Sequence, residues 1–342
     1  MSSAVSKSSF YLPLVDITPF LEDPRSPAAQ QVIDDVRRAC QSTGFFQIKG
    51  HGISPKLHKA VFEASAKFFA LPGEEKMKLD AQRMVGFRGY NAMATQSYES
   101  GAESGKDVVR DLKEGFFAST DLPLTHPLVT SGRFLQGPNV WPEAEHLAPE
   151  EFRVIVEEYH GEMLRLSHVV LDLIAATLPY GPHVFDEFKG GDLMCLLRLL
   201  HYPPDPPTAE DEAHKKQFGS GEHMDFSLLT LLAQDEHPGL EVLDTETGDW
   251  VVVPPQDGVY IVNMADIMSM ITGGDYKSSV HRVWNKNTEE RYSIVFFFDG
   301  NLDYKLRRLD GHEQPGIADK DVPTVEGHVR RRMTGSYNTS KQ

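Results

Sequence analysis

The feature that most constrains this chain is a succession of short β-type runs in its second half. They cover residues 195–202, 227–234, 240–243, 250–253, 258–263, 280–284 and 291–298. Turn-forming groups separate them, among them Pro238-Gly239, Thr247-Gly248-Asp249 and Gln256-Asp257-Gly258. Strands this short and this closely spaced close into a sandwich or barrel rather than into alternating β-α units. Ahead of them the texture is helical. Val32, Val36 and Ala39 mark one face of a helix over 31–41, and a second helix spans 55–70, stopping before Leu71-Pro72-Gly73. The longest helical signal, 149–178, repeats Phe152, Val156, Tyr159, Met163, Leu166, Val170 and Leu173 at helical spacing and ends at Pro179-Tyr180-Gly181-Pro182. Strands are expected at 11–17 and 44–48, and the Gly-, Ser- and Asp-rich stretch 86–135 reads as irregular. The expectation is a mainly β core with flanking helices.

Composition sets the partner classes. Apolar residues make up 40% of the chain and charged residues 25%, ordinary usage for a globular core. A formal net charge of −16 argues against a nucleic-acid partner, which needs a concentrated basic surface. The basic run Arg330-Arg331-Arg332 reads as a solvated helix face. The two cysteines, Cys40 and Cys195, lie far apart in apolar stretches, as buried free thiols of a reducing compartment would. Residues 1–9 are small and polar, without a signal-peptide core, and no apolar run reaches membrane-spanning length. A cytoplasmic protein with no membrane, nucleic-acid or obligate protein partner is expected.

Several catalytic signatures drop out. Residues 101–107 (GAESGKD) fall one residue short of a phosphate-binding loop and put Asp107 where a Ser or Thr should meet magnesium. No GxSxG, HExxH or GxGxxG pattern occurs. Asn338-Thr339-Ser340 matches a glycosylation sequon, with nothing else to suggest secretion.

His223-Met224-Asp225 carries more. Side chains two apart on an extended segment share a face, so both can address one ion. Among 14 histidines roughly one such pair is expected by accident, so the pattern alone is weak. It gains weight because it follows a turn, Phe218-Gly219-Ser220-Gly221, that could open into a cleft, and because His281 stands in another expected strand. Two histidines and a carboxylate suit non-haem Fe(II), with positions left open for oxygen and a co-substrate. Zinc accepts the same donors. Arg291 opens a strand whose inward set would be Arg291, Ser293, Val295 and Phe297. An arginine in an apolar strand needs an anion, either a structural carboxylate or a bound one, and Ser293 can donate a second hydrogen bond to it.

These residues sit in segments that resemble the isopenicillin N synthase-like family of 2-oxoglutarate/Fe(II)-dependent dioxygenases. The resemblance runs through residues 12–17 (LPLVDI), 39–54, 68–76, 86–90 and 111–117. It continues through RLLHYPP (198–204), HMD, PGLEV (238–242), 258–283 and RYS (291–293). It implies a double-stranded β-helix (a cupin-like jelly roll), with Fe(II) held by His223, Asp225 and His281. It also implies 2-oxoglutarate held by Arg291 and Ser293, with Tyr202 in contact. Leu200 stands where some relatives carry an asparagine, and His51, in Gly50-His51-Gly52, is expected as a turn residue. The implied reaction converts 2-oxoglutarate and O2 to succinate and CO2 while oxidising a small, partly apolar or aromatic metabolite, with ascorbate as an activator in vitro. Hydroxylation is the default, with desaturation and ring closure as variants.

Phe226, Phe297, Val295 and Arg198 are the candidate substrate-pocket residues. The expected organisation is one structural unit: a flexible 1–9, an α/β region 10–125, a linker and long helix 126–190, a catalytic jelly roll 191–300, and 301–342 with a helix over its mouth. Alternatives are an Fe(II) oxidase of the same fold that does without 2-oxoglutarate, a zinc hydrolase, and a non-catalytic binder.

Overall fold

The computed structural model describes residues 10–96, 111–205, 218–312, 316 and 318–337. The segments 1–9, 101–107 and 338–340 discussed above lie outside the described residues. The chain begins with β1 (Leu14–Asp16), α1 (Thr18–Glu22), α2 (Pro27–Ser42), β2 (Phe45–Lys49), α3 (Pro55–Phe69) and α4 (Gly73–Met77). Then come β3 (Gly89–Asn91), β4 (Glu114–Ala118), α5 (Pro127–Thr130) and the long α6 (Arg153–Thr177). The second half supplies β5 (Leu193–Tyr202), β6 (Ser220–His223), β7 (Leu229–Gln234), β8 (Leu240–Leu243), β9 (Trp250–Val252) and β10 (Tyr260–Met264). It closes with α7 (Asp266–Ile271), β11 (His281–Val283), β12 (Arg291–Asn301) and α8 (Val325–Tyr337).

The strands form an 8-stranded sheet in the order β1-β2-β10-β7-β12-β5-β4-β3 and a 4-stranded sheet in the order β6-β11-β8-β9. This is a double-stranded β-helix with helices against the outer face of its larger sheet. Period-two alternation along β12 separates the two cores. Ile294, Phe296 and Phe298 pack into the large cluster with Val61, Phe68 and Tyr159 of the helices. Val295 joins Phe45, Leu200, Tyr202, Val242 and Val283, an apolar cluster drawn from both sheets.

Helix α2 starts ahead of its apolar pattern because Ser26 accepts the Ala29 amide at 3.1 Å and Pro27 occupies the first helical position. It ends at Gly44, whose φ of +70° is left-handed and whose carbonyl accepts the Met264 amide at 2.8 Å. That turn sets β2 beside β10.

The stretch 86–135 is not irregular as its composition suggested. It contains β3, α5 and the fully buried β4, which pairs with β5. Glu114 disguised that strand. Its carboxylate is compensated inside the fold by Lys76 Nζ at 2.8 Å, the Tyr90 hydroxyl at 2.6 Å and His201 Nδ1 at 2.7 Å. Cys40 and Cys195 are both buried and free. No helix among the described residues is long and apolar enough to cross a membrane.

A side chain at Gly44 would need the left-handed backbone and would drive its Cβ into the Lys277 carbonyl oxygen. Gly44→Ala is therefore expected to lower unfolding free energy by at least about 2 kcal/mol, read from the midpoint of urea denaturation.

Candidate active site

Strand β6 ends on His223, and β11 opens on His281 directly across the antiparallel ladder from it. The Phe218–Gly221 segment is thus not a free turn. Its last residues, Ser220 and Gly221, already belong to β6, paired with β11. The chain then turns so that Asp225 faces both imidazoles. Asp225 Oδ1 lies 3.6 Å from His223 Nε2 and 3.8 Å from His281 Nε2. One ligand atom from each residue falls within 4.8 Å of the others.

Hydrogen bonds orient all three groups. His223 Nδ1 lies 2.7 Å from the Gly221 carbonyl and His281 Nδ1 lies 3.2 Å from the Ser279 carbonyl. A carbonyl only accepts, so each Nδ1 carries the proton and each Nε2 presents its lone pair. Burial, and then the neighbouring His281, pushes His223 well below the ordinary imidazole range, which keeps it neutral. Asp225 Oδ2 accepts from Thr230 Oγ1 and Asn263 Nδ2, both at 2.8 Å, leaving Oδ1 toward the histidines. The edge of Phe45 packs against the His281 ring, with centroids 5.4 Å apart. The other such group among the described residues, Glu143, Glu145 and His146, lies at the surface. The buried group fits an ion that takes two imidazoles and one carboxylate.

Arg291 is fully buried at the start of β12. Its Nε donates to the His237 carbonyl at 3.1 Å and its Nη2 to Gln234 Oε1 at 2.8 Å, both uncharged acceptors. Nη1 has no hydrogen-bond partner. Among the described residues no carboxylate pairs with this guanidinium, so the structural ion pair that its burial could have signalled is not found. A buried cation with a spare N–H calls for an anion of another origin. Tyr202 is its cross-strand partner, with the guanidinium 4.9 Å from the ring centre. The Ser293 hydroxyl donates to the Tyr202 hydroxyl at 3.4 Å.

Beside Asp225 a cleft of about 480 Å3, counting the space open to solvent, is walled by Phe117, Leu135, Met194, Leu196, Phe226 and Phe297. Val329 and Met333 of α8 close one side, and Gln96, Arg198 and Asp299 add polar groups. Phe226, Phe297 and Arg198 thus share the cleft with Asp225, whereas Val295 packs in the cluster between the sheets. Arg198 is buried, bonded to Gln96 Oε1 at 3.0 Å and Asn91 Oδ1 at 3.2 Å, with its guanidinium over Phe117.

The basic run on α8 is not uniformly solvated. Arg330 pairs with Glu326, but Arg332 reaches the Met224 carbonyl at 3.1 Å and Asp266 at 3.2 Å. His51 is a turn residue, its Nε2 bonded to the Gly258 carbonyl at 2.8 Å. Thr230, Asn263, Gln234 and Asp299 were not singled out in the sequence. Their signal was a polar side chain inside an otherwise apolar strand.

Comparison with known proteins places this geometry. Residues 12–144 match the N-terminal region described as that of the non-haem dioxygenase in morphine synthesis, and residues 193–300 match the 2OG-Fe(II) oxygenase superfamily. The chain belongs to the 2OG-Fe(II) oxygenase superfamily. It is 62% identical to a clavatol oxidase of Penicillium crustosum, over 97% of this chain and 98% of that one. It is 59% identical to a 2-oxoglutarate-dependent dioxygenase of Monascus ruber, again over 97% and 98%. Among solved structures, a full-length Neurospora crassa protein crystallised in complex with α-ketoglutarate superposes with a TM-score of 0.77. It is 25% identical, over 98% of this chain and 99% of that one. The protein is thus an oxidoreductase, a dioxygenase that uses Fe(II), 2-oxoglutarate and O2 on a small-molecule substrate.

Arg282, next to His281, donates to Glu241 Oε2 at 2.6 Å, both side chains being buried, so this pair ties β11 to β8. Glu241→Ala is expected to cost about 2 kcal/mol of stability, measured by thermal or urea denaturation, because it leaves the buried guanidinium with only the part-exposed Glu222, 3.2 Å from Nη1.

Proposed function

We propose that His223, Asp225 and His281 hold the iron, and that Arg291, with Ser293 and Tyr202, receives the distal carboxylate of 2-oxoglutarate. The observation that carries this reading is the unpartnered Nη1 of the buried Arg291, on the strand face it shares with Tyr202 and Ser293. When bound, iron supplies the redox chemistry that couples decarboxylation of 2-oxoglutarate to oxidation of a second substrate. The chain's own part is positioning. Thr230 and Asn263 steer one oxygen of Asp225 away from the histidines and leave the other to bind. The Gly221 and Ser279 carbonyls fix both imidazole tautomers. The inter-sheet apolar cluster keeps water from Arg291 and strengthens its hold on an anion.

The second substrate in this reading is a small, partly apolar metabolite of specialised metabolism, bound among Phe226, Phe297 and Arg198 and hydroxylated by default. The likeness to a clavatol oxidase supports that class. The catalytic core is residues 191–300, set in one structural unit with 10–125 and 126–190, while α8 in 301–342 covers the cleft. The reading places the enzyme in the cytoplasm and needs no nucleic acid, membrane or obligate protein partner. The net charge of −16 supports the first of these.

Succinate formation with Fe(II), 2-oxoglutarate and ascorbate, screened across a metabolite panel, tests the proposal. Asp225→Ala is expected to reduce turnover at least about 100-fold, and native-rate consumption of 2-oxoglutarate by that variant would defeat the assignment. Arg291→Leu should raise the KM for 2-oxoglutarate roughly 10- to 100-fold, the worth of a charge-assisted hydrogen bond. Asn263→Leu should weaken iron binding about 10-fold in a metal titration while leaving the fold intact.

A further inference from the structure

The end of β12 departs from regular pairing at one place. Phe298 faces Cys195 and Gly300 faces Met194 on β5, with a register shift between them, so Asp299 is an extra residue without a counterpart. Gly300 makes the bulge feasible. Its φ is +86°, and a Cβ there would lie 3.0 Å from Phe188. Bulges of this kind re-aim a side chain at the cost of one ladder position. Here the side chain re-aimed is a carboxyl that joins Asp225, Phe226 and Phe297 in the cleft wall.

Asp299 is 3% exposed, and its Oδ1 has no hydrogen-bond partner. Arg198, the cation in the same wall, directs its Nη1 and Nη2 to Gln96 and Asn91. An unsatisfied buried acceptor is costly, and it persists where a ligand completes it. Burial first, and then the charge of Asp225, pushes this carboxyl up to about 7. The same cleft is lined by Phe117, Phe226 and Phe297. They suit a flat apolar body, and an unpartnered acceptor oxygen at that place has no proton to offer a carboxylate.

We propose that Asp299 is the residue that selects the substrate, hydrogen-bonding a hydroxyl group carried on an uncharged aromatic ring that lies among Phe117, Phe226 and Phe297. This deepens the proposed function and rests on its reading that the cleft beside Asp225 takes the second substrate. A carboxyl that merely closes the bulge would not distinguish a phenol from its methyl ether, whereas one that reads the substrate does.

The test uses the full chain loaded with Fe(II) and 2-oxoglutarate without oxygen, and three probes: 3-methylphenol, 3-methylanisole and 3-methylbenzoate. Binding is followed by ligand-observed NMR titration. The wild type and Asp299→Asn, which keeps polar atoms at that place, should bind the phenol about tenfold more tightly than the ether or the benzoate. Asp299→Leu should lose that preference to within about twofold, while its affinity for 2-oxoglutarate stays unchanged and its thermal midpoint does not fall. Asp299→Ala provides the same reading if leucine does not fit. Retention of the preference in either apolar variant, or its absence from the wild type, overturns the proposal. Failure of the wild type to bind 2-oxoglutarate would overturn the underlying site assignment as well, and is read out separately.

Discussion

A guanidinium, two imidazoles and a carboxylate are buried or nearly so where a large and a small sheet meet, and the need to satisfy those polar groups out of water shapes their surroundings. Burial of a charge is tolerated only where fixed dipoles or a counter-charge meet it. The chain meets part of that demand with neutral acceptors, the His237 carbonyl and Gln234 on Arg291, and with two donors on Asp225. It leaves the rest unmet, at Nη1 of Arg291 and between the facing Nε2 atoms and Asp225 Oδ1. The incompleteness is local and aimed, which is how a binding site differs from a core defect.

The scaffold makes such aim feasible through the alternation of β12. One face of that strand joins the apolar layer that α3 and α6 press against the sheet, and the other faces the short second sheet. The strand is clamped on both sides by β5 and β7, so its inward residues inherit the rigidity of two ladders. His281 is similarly held, paired with β6 on one side and β8 on the other. His223 and His281 are thereby brought together by strand pairing, and the turn after β6 adds Asp225 to them.

Much of this was legible in the sequence, for identifiable reasons. The strand succession after Cys195 and the long helix before it stand out because their apolar patterns are periodic, and the separation of Arg291, Ser293 and Val295 from Ile294 and Phe296 follows from period two. The convergence of His223, Asp225 and His281 was legible because the first two stand two apart and His281 falls in an expected strand. What escaped was anything set by tertiary compensation. Strand β4 was hidden by Glu114, which looks like a surface residue until Lys76, Tyr90 and His201 surround it. Val295 was placed in the cleft by alternation alone, yet it packs in the apolar cluster drawn from both sheets. Regular pairing breaks at Asp299, and only the fold shows that its carboxyl lies in the cleft wall.

The clasp made by Arg332 has a mechanical meaning. Its guanidinium grips the carbonyl of Met224, the residue between His223 and Asp225, and holds Asp266 with the same group. The helix that bears it also contributes Val329 and Met333 to the cleft. Wall and foundation are therefore one piece: the helix that borders the cleft is fastened to the very peptide that sets the spacing of those two side chains.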